Sequence, residues 1–124
     1  MAKKILIVDD EPDVITYFST VLQDEGYQTI DASNGEIALQ KIREEKPDLV
    51  TLDITMPERS GVGTYRELKE SEELKGIPIL IVTGVSPDFK QFISSRRQVP
   101  APDGFLEKPV RHEQLLAEVK RLIG

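Results

Sequence analysis

The sequence predicts an α/β fold: a (βα)5 three-layer sandwich whose doubly wound parallel sheet has the flavodoxin-like strand order 2-1-3-4-5. Short apolar runs, which suit strands buried on both faces, recur along the chain. Stretches with apolar residues at helical spacing separate these runs. Polar and charged residues follow directly where the runs end, and open α/β sheets build their sites at the carboxyl ends of their strands.

The first βα unit begins with the apolar run 5–8, which ends at the acidic residues 9–11. Pro12 suits the first turn of the following helix, and Gly26 is placed to end it. One stripe of this helix is predicted to face the core, and it consists of Val14, Phe18, Val21 and Leu22.

Residues 27–30 are predicted to form the second strand. Ser33 and Glu36 have the spacing of a capping box, which satisfies free amides at a helix start. Pro47 biases Lys46 away from helical geometry and so ends the second helix. The predicted inner face of this helix contains Ala38, Leu39 and Ile42.

The third strand is mostly apolar, with Leu49, Val50 and Leu52, and it runs into Asp53. Pro57 follows shortly afterwards and cannot donate a hydrogen bond to a sheet. Taken alone, Asp53 is better explained as a residue that starts a turn, a common role for aspartate. Its interpretation therefore depends on which other residues the fold brings beside it.

The C-terminal half continues the alternation of strands and helices, beginning with a weaker helix. A helix over 62–71 is anchored by Tyr65 and Leu68, and the apolar strand 79–82 ends at Thr83-Gly84. Ser86-Pro87 is placed to cap a fourth helix, which would carry Phe89, Phe92 and Ile93. Residues 96–102 are expected to be irregular because of their two prolines. A strand over 104–107 leads to Lys108-Pro109, and the last helix buries Leu115, Leu116, Val119, Leu122 and Ile123.

Length and composition narrow the class of protein. A chain of 124 residues is expected to be one domain, residues 1–124, with no linker or repeat. The net charge of -6 argues against direct nucleic-acid binding, which needs basic clusters. The chain has no cysteine, which excludes disulfides and thiolate ligands, and no apolar run approaches a membrane span. We expect a cytoplasmic protein.

The predicted strand ends carry Asp9 and Asp10, Asp53, Thr83, and Lys108. In the order 2-1-3-4-5 these ends meet on one rim beside the switch point of the sheet. Carboxylates that share a cleft repel each other, and Mg²⁺, which prefers oxygen ligands, relieves that repulsion. Each residue has a simpler explanation alone, since Asp9 and Asp10 suit a helix cap. Together they predict one site, with Lys108 and Thr83 suited to a phosphoryl group.

These residues resemble the receiver domain of two-component response regulators (CheY-like proteins), and the resemblance covers essentially the whole chain. The matching motifs are Val8-Asp9-Asp10-Glu11, Leu52-Asp53-Ile54 with Met56-Pro57 and Gly61, Thr83-Gly84, and Phe105-Leu106-Glu107-Lys108-Pro109. The resemblance implies a phosphoacceptor protein that is not an enzyme beyond its own phosphorylation and dephosphorylation. A histidine kinase or phosphotransfer protein would supply the phosphoryl group from phosphohistidine, and a small phosphodonor would also serve.

The same resemblance implies roles for individual residues. Asp53 would be the phosphoacceptor. Asp10, Asp53 and the backbone carbonyl of Thr55 would bind Mg²⁺, or Mn²⁺ in its place, and Asp9 would act through a metal-bound water. Lys108 would contact the phosphoryl group. The other implied site residues are Thr83 with its hydroxyl, Gly84 with its backbone amide, Phe105 as a rotating switch, and Pro109 after a cis peptide bond.

Signal output would pass from Thr83 and Phe105 to the face made by the fourth helix, the fifth strand and the fifth helix. The reader would be a downstream protein or a fused output domain, and a phosphorylation-dependent homodimer remains open. Thr55, Ser60, Gly84 and Val85 depart from common family residues, as does the segment 96–102. That segment is either a harmless loop variant or a specialised interface.

Three other functions explain the sequence less well. An aspartyl-phosphate phosphatase would need a general acid two residues after its nucleophile, where this chain has Thr55. A nucleotide-binding module would need a glycine-rich turn after the first strand, where this chain is acidic. A degenerate receiver that only binds proteins would not need all the site residues. The one histidine, His112, is expected to be a solvated surface residue.

Overall fold

The computed structural model describes residues 2–54, 61–84 and 103–124, with side chains from Gly63 onward in the second range. Five parallel strands form one sheet in the order β2-β1-β3-β4-β5, as the sequence predicts. The strands are β1 (Lys4–Val8), β2 (Gln28–Ala32), β3 (Leu49–Asp53), β4 (Ile79–Thr83) and β5 (Gly104–Glu107). The described helices are α1 (Pro12–Asp24), α2 (Gly35–Glu45), α3 (Gly61–Glu70) and α4 (His112–Ile123).

The register of the sheet aligns the carboxyl ends of its strands. Val8 in β1 lies opposite Leu52 in β3, and Asp53 lies opposite Val82 in β4. Thr83 at the end of β4 lies opposite Glu107 at the end of β5. Residues that leave β1, β3, β4 and β5 therefore emerge at one edge of the sheet, and the site is built there.

The inner strands β1, β3 and β4 are buried on both faces, which is why they are mostly apolar runs. All five residues of β3 and of β4 are buried. One face packs mainly on α2 and α3 through a cluster that includes Leu6, Val50, Ile81, Ile42 and Leu68. The other packs on α1 and α4 through a cluster that includes Ile7, Leu49, Leu80, Phe18 and Val119. These two layers complete the predicted three-layer sandwich.

The helix boundaries confirm most of the predicted signals. Pro12 opens α1, and Gly26 follows that helix with a φ of 93°, a conformation that favours glycine. Lys46 ends α2 in the left-handed region with a φ of 47°. The predicted capping box at Ser33 was wrong. The N-cap is Asn34, one residue later, whose side-chain oxygen accepts a hydrogen bond from the amide of Ile37 at 2.9 Å.

Some predictions fall on residues outside the described ranges. They include the fourth predicted helix, with Phe89, Phe92 and Ile93, and the irregular segment 96–102. Thr55, Met56, Pro57, Ser60 and Val85 also fall there. Among the residues that the structure describes, no helix is both long enough and apolar enough to cross a membrane.

Gly104 begins β5 where there is no room for a side chain. A Cβ added there would lie 2.8 Å from Leu80 Cδ1 and 3.1 Å from Arg121 Nη2. Leu80 is fully buried, so it cannot move aside freely. We expect Gly104→Ala to lower the free energy of unfolding by about 1–3 kcal/mol, measured by urea denaturation. Gly76→Ala is the matched control, because a Cβ there meets no atom within 4 Å. Equal effects of the two substitutions would contradict this explanation.

Candidate functional site

The carboxyl edge of the sheet brings together most of the residues that the sequence singled out. Asp53 is the last residue of β3 and is 1% exposed, and Asp9 directly follows β1 and is 2% exposed. Asp10 lies beside Asp9 but is exposed. Two buried carboxylates and an exposed one therefore meet at the switch point between β1 and β3.

Backbone hydrogen bonds hold these carboxylates in place. The amide of Asp9 donates to the carbonyl of Ala32 at 3.1 Å, which extends the pairing of β1 with β2. The amide of Glu11 donates to Asp9 Oδ1 at 2.9 Å and so fixes the orientation of that carboxylate. Beyond β3, the amide of Ile54 donates to the carbonyl of Val82 at 3.2 Å, which holds the end of the strand beside Asp53 against β4.

Lys108 supplies the positive charge of the site. Its ammonium Nζ lies 3.0 Å from Glu11 Oε1, 3.1 Å from Asp9 Oδ2 and 3.2 Å from Asp53 Oδ2. The amide of Lys108 donates to the carbonyl of Thr83 at 2.8 Å, which anchors the lysine to the end of β4. The Lys108–Pro109 peptide bond is cis, as the resemblance implied. The side chain of Lys108, which follows β5, thus reaches the carboxylates of Asp9, which follows β1, and of Asp53, which ends β3.

Burial and neighbouring charges shift the pKa values of Asp9 and Lys108. Burial raises the pKa of Asp9 to about 6, and the negative charge of Asp53 adds to that rise. Hydrogen bonds from the Glu11 amide and from Lys108 oppose it. Burial acts to lower the pKa of Lys108, but Glu11 and Asp9 as hydrogen-bond acceptors, together with the charge of Asp53, raise it overall. Lys108 is therefore a fixed cation among more negative charges than it can neutralise.

The residues present fit a hard divalent cation. Carboxylate oxygens from Asp9, Asp10, Glu11 and Asp53 all lie within 4.8 Å of one another. Oxygen donors at this spacing suit Mg²⁺, which is commonly bound by one or two carboxylates and otherwise by waters and phosphate oxygens. The raised pKa of Asp9 supplies a second reason, because a bound cation would stabilise the charged carboxylate that burial, and to a lesser extent the charge of Asp53, disfavours.

Glu11 is the site residue that the sequence interpretation missed. In the sequence Glu11 is one residue of the acidic motif, and in the structure its carboxylate belongs to the cluster and contacts Lys108. Three successive acidic residues at the end of one strand were the signal in the sequence that could have identified it.

The remaining predicted site residues differ in exposure. Thr83 is buried, Gly84 is exposed, and Phe105 is half-buried against the core cluster on the α2 and α3 face. Thr55, the predicted carbonyl ligand, lies outside the described residues.

A groove lies beside Lys108. It has a volume of about 430 Å³ and a mainly apolar wall. Its apolar lining includes Tyr17 of α1, which is 39% exposed, together with Pro109 and Val110. Gly84 and Lys108 also line it, so the groove connects an apolar surface with the charged site.

Fold and site together define a CheY-like α/β domain, with an acidic cluster and a lysine at the carboxyl edge of a doubly wound parallel sheet. A family model described as the response regulator receiver domain matches residues 5–120. The chain belongs to the response regulator receiver domain family.

Several relatives share this similarity over the whole chain. The chain is 34% identical to the alkaline phosphatase synthesis transcriptional regulatory protein PhoP of Bacillus subtilis, over 99% of this chain and 49% of that protein. It is 31% identical to the polar-differentiation response regulator DivK of Brucella anthropi, over 100% of this chain and 98% of DivK. For protein PilH of Pseudomonas aeruginosa the identity is 33%, over 98% of each chain. This chain therefore spans about half of PhoP and nearly all of the other two.

Solved structures agree with this assignment. The chemotaxis protein CheY4 of Vibrio cholerae superposes with a TM-score of 0.87 at 32% identity, over 99% of this chain and 100% of that one. A CheY-like receiver domain protein of Methanospirillum hungatei gives a TM-score of 0.84 at 28% identity, over 98% and 93%. Receiver domains of two-component signalling are thus the proteins that this chain resembles in both sequence and fold.

Proposed function

We propose that Asp53 accepts a phosphoryl group from the phosphohistidine of a histidine kinase or phosphotransfer protein, or from a small donor such as acetyl phosphate. The observation that carries this proposal is the setting of Asp53. Its carboxylate ends a buried strand, lies 3.2 Å from the Lys108 ammonium and belongs to the carboxylate cluster. A positioned nucleophile beside a cation is what phosphoryl transfer requires.

In this reaction an Asp53 carboxylate oxygen forms a bond to phosphorus. The phosphorus–nitrogen bond of phosphohistidine breaks and the imidazole leaves, or the phosphorus–oxygen bond of acetyl phosphate breaks and acetate leaves. Lys108 stabilises the negative charge on the transferring group through charge-assisted hydrogen bonds. The product is an aspartyl phosphate, and the protein acts on itself rather than as an enzyme with turnover.

Asp9, Asp10 and Asp53 would hold Mg²⁺, with Asp9 acting through a water and with the Thr55 carbonyl as a further ligand. When bound, Mg²⁺ supplies charge neutralisation for the phosphoryl group. Without a metal ion the acidic cluster would repel an anionic phosphodonor. The single positive charge of Lys108 is too small to offset that repulsion.

The apolar groove beside Lys108 suits the approach of a protein donor. A helix that carries phosphohistidine could place its apolar face against Tyr17 and Pro109 while the phosphoryl group reaches Asp53. The phosphorylated state would then be passed on through Thr83 and Phe105. A downstream protein, a fused output domain or a second copy of the chain would read the face formed around β5 and α4, and the signalling would take place in the cytoplasm.

Incubation with acetyl phosphate tests the proposal. We expect intact-mass spectrometry to show the gain of one phosphoryl group in the presence of Mg²⁺, and almost none when EDTA removes the metal. Hydroxylamine should remove the label, because it cleaves acyl phosphates. A protein that folds and binds Mg²⁺ but takes up no phosphoryl group from acetyl phosphate or from a phosphorylated kinase would instead be a receiver that acts only as a binding module.

A further inference from the structure

The Lys108 ammonium has no free hydrogen-bonding capacity. A lysine ammonium carries three N–H donors. Three carboxylate oxygens, from Asp9, Glu11 and Asp53, lie within 3.2 Å of the Lys108 nitrogen. An incoming phosphoryl oxygen can therefore contact this ammonium only by displacing one of the three carboxylates.

The three partners differ in how readily they can be displaced. The side chains of Asp9 and Asp53 are 3% and 1% exposed, whereas that of Glu11 is 61% exposed. A carboxylate that loses its cation inside the protein suffers a large desolvation penalty. The exposed Glu11 carboxylate is rehydrated by water when it loses its partner. Glu11 is therefore the partner that Lys108 gives up at least cost.

We propose that Glu11 is a positioning residue that competes with the phosphoryl group for Lys108 and thereby slows the charging of Asp53. This inference rests on the proposed function of Asp53. In the resting protein Glu11 holds the solvent side of the ammonium. The donor enters from that side, because Asp9 and Asp53 are buried, and its phosphoryl oxygens take the place of the Glu11 carboxylate.

Glu11→Gln removes the charge but keeps an oxygen that can accept a weaker hydrogen bond. The backbone amide of Glu11 that donates to Asp9 is unchanged by the substitution. Lys108 should therefore become available to the phosphoryl group while Asp9 keeps its orientation. An exposed ion pair is worth up to about 1 kcal/mol, which corresponds to roughly fivefold in rate, so we expect an increase in rate of about three- to tenfold.

Asp13→Asn is the matched control. Asp13 lies in the first turn of α1, is exposed, and carries the same charge two residues away from Glu11. It is not among the carboxylates that contact Lys108. A general weakening of the negative field would accelerate both variants alike, whereas competition for Lys108 accelerates only Glu11→Gln.

The experiment measures the second-order rate constant for labelling by acetyl phosphate at Mg²⁺ concentrations that saturate each protein. The dissociation constant of beryllofluoride, a phosphoryl stand-in, is measured by calorimetry under the same conditions. We expect Glu11→Gln to label about three- to tenfold faster and to bind beryllofluoride more tightly by a similar factor. We expect Asp13→Asn to stay within about twofold of the unmodified protein on both measures.

Two results would overturn the inference while leaving the proposed function intact. One is an unmodified protein that is labelled at Asp53 together with a Glu11→Gln variant that is no faster. The other is equal acceleration in Glu11→Gln and Asp13→Asn. Failure of the unmodified protein to take up any label would overturn the proposed function and this inference with it. Circular dichroism spectra that match the unmodified protein establish that each variant is folded.

Discussion

Asp53→Asn is expected to abolish labelling by acetyl phosphate. Asparagine has almost the same shape as aspartate, and its carbonyl oxygen can still accept a hydrogen bond from Lys108. Its amide cannot serve as the nucleophile that forms an acyl phosphate. Folding and the position of Lys108 should therefore survive while the chemistry is lost. Intact-mass spectrometry after incubation with acetyl phosphate and Mg²⁺ measures the result.

Two results would contradict the assignment of Asp53 as the phosphoacceptor. Labelling that continues at an undiminished rate in Asp53→Asn would place the phosphoacceptor elsewhere, and peptide mapping would then locate it. Asp13→Asn serves again as a control, because it removes an exposed carboxylate near the same rim and should remain fully labelled. Loss of labelling in both variants would point to a general effect of charge rather than to the nucleophile.

The fold was predictable because the central strands β3 and β4 are runs buried on both faces. Such runs need no alternation, so β3 and β4 were identified within one residue of their observed bounds. The start of α2 was less predictable, since Ser33, Asn34 and Glu36 offer two overlapping caps. Only the backbone geometry selects between them, and Asn34 has the extended conformation of an N-cap.

The site was predictable wherever a residue's position in the fold determines its neighbours. Asp53 ends β3 and Lys108 follows β5, two strands away in the sheet, and the strand order alone brings these two ends to one edge. The contact between Glu11 and Lys108 depends instead on how far two flexible side chains reach. An acidic residue just before a helix is already explained by its favourable interaction with the helix dipole. For that reason nothing in the sequence indicated separately that Glu11 also contacts Lys108.

Asp9 shows a conflict between stability and function. Its pKa is raised from 3.8 to about 6 by burial and by the charge of Asp53. For an acid, a raised pKa in the folded state means that the protonated form is favoured there. The stabilising contribution is therefore complete at low pH, and it is lost as the pH rises from about 4 to about 6. At neutral pH the metal-free protein carries a buried carboxylate that opposes folding and that a bound cation would offset.

Asp9→Asn is accordingly expected to change stability and metal binding in opposite directions. Asparagine mimics the protonated acid, so the metal-free variant should be more stable than the unmodified protein at pH 7 by about 1–3 kcal/mol in urea denaturation. Its affinity for Mg²⁺, measured by calorimetry, should fall by roughly 10–100-fold because an outer ligand is lost.

The pH dependence separates this explanation from a simple change in packing. The stability difference between Asp9→Asn and the unmodified protein should nearly vanish at pH 4 and grow toward pH 7, since Asp9 titrates over that interval in the folded protein. Asp10→Asn is the matched comparison. Asp10 is exposed, so its substitution should weaken Mg²⁺ binding without stabilising the metal-free protein. A destabilised Asp9→Asn variant at pH 7 would show that the Lys108 ion pair outweighs the cost of burying the charge.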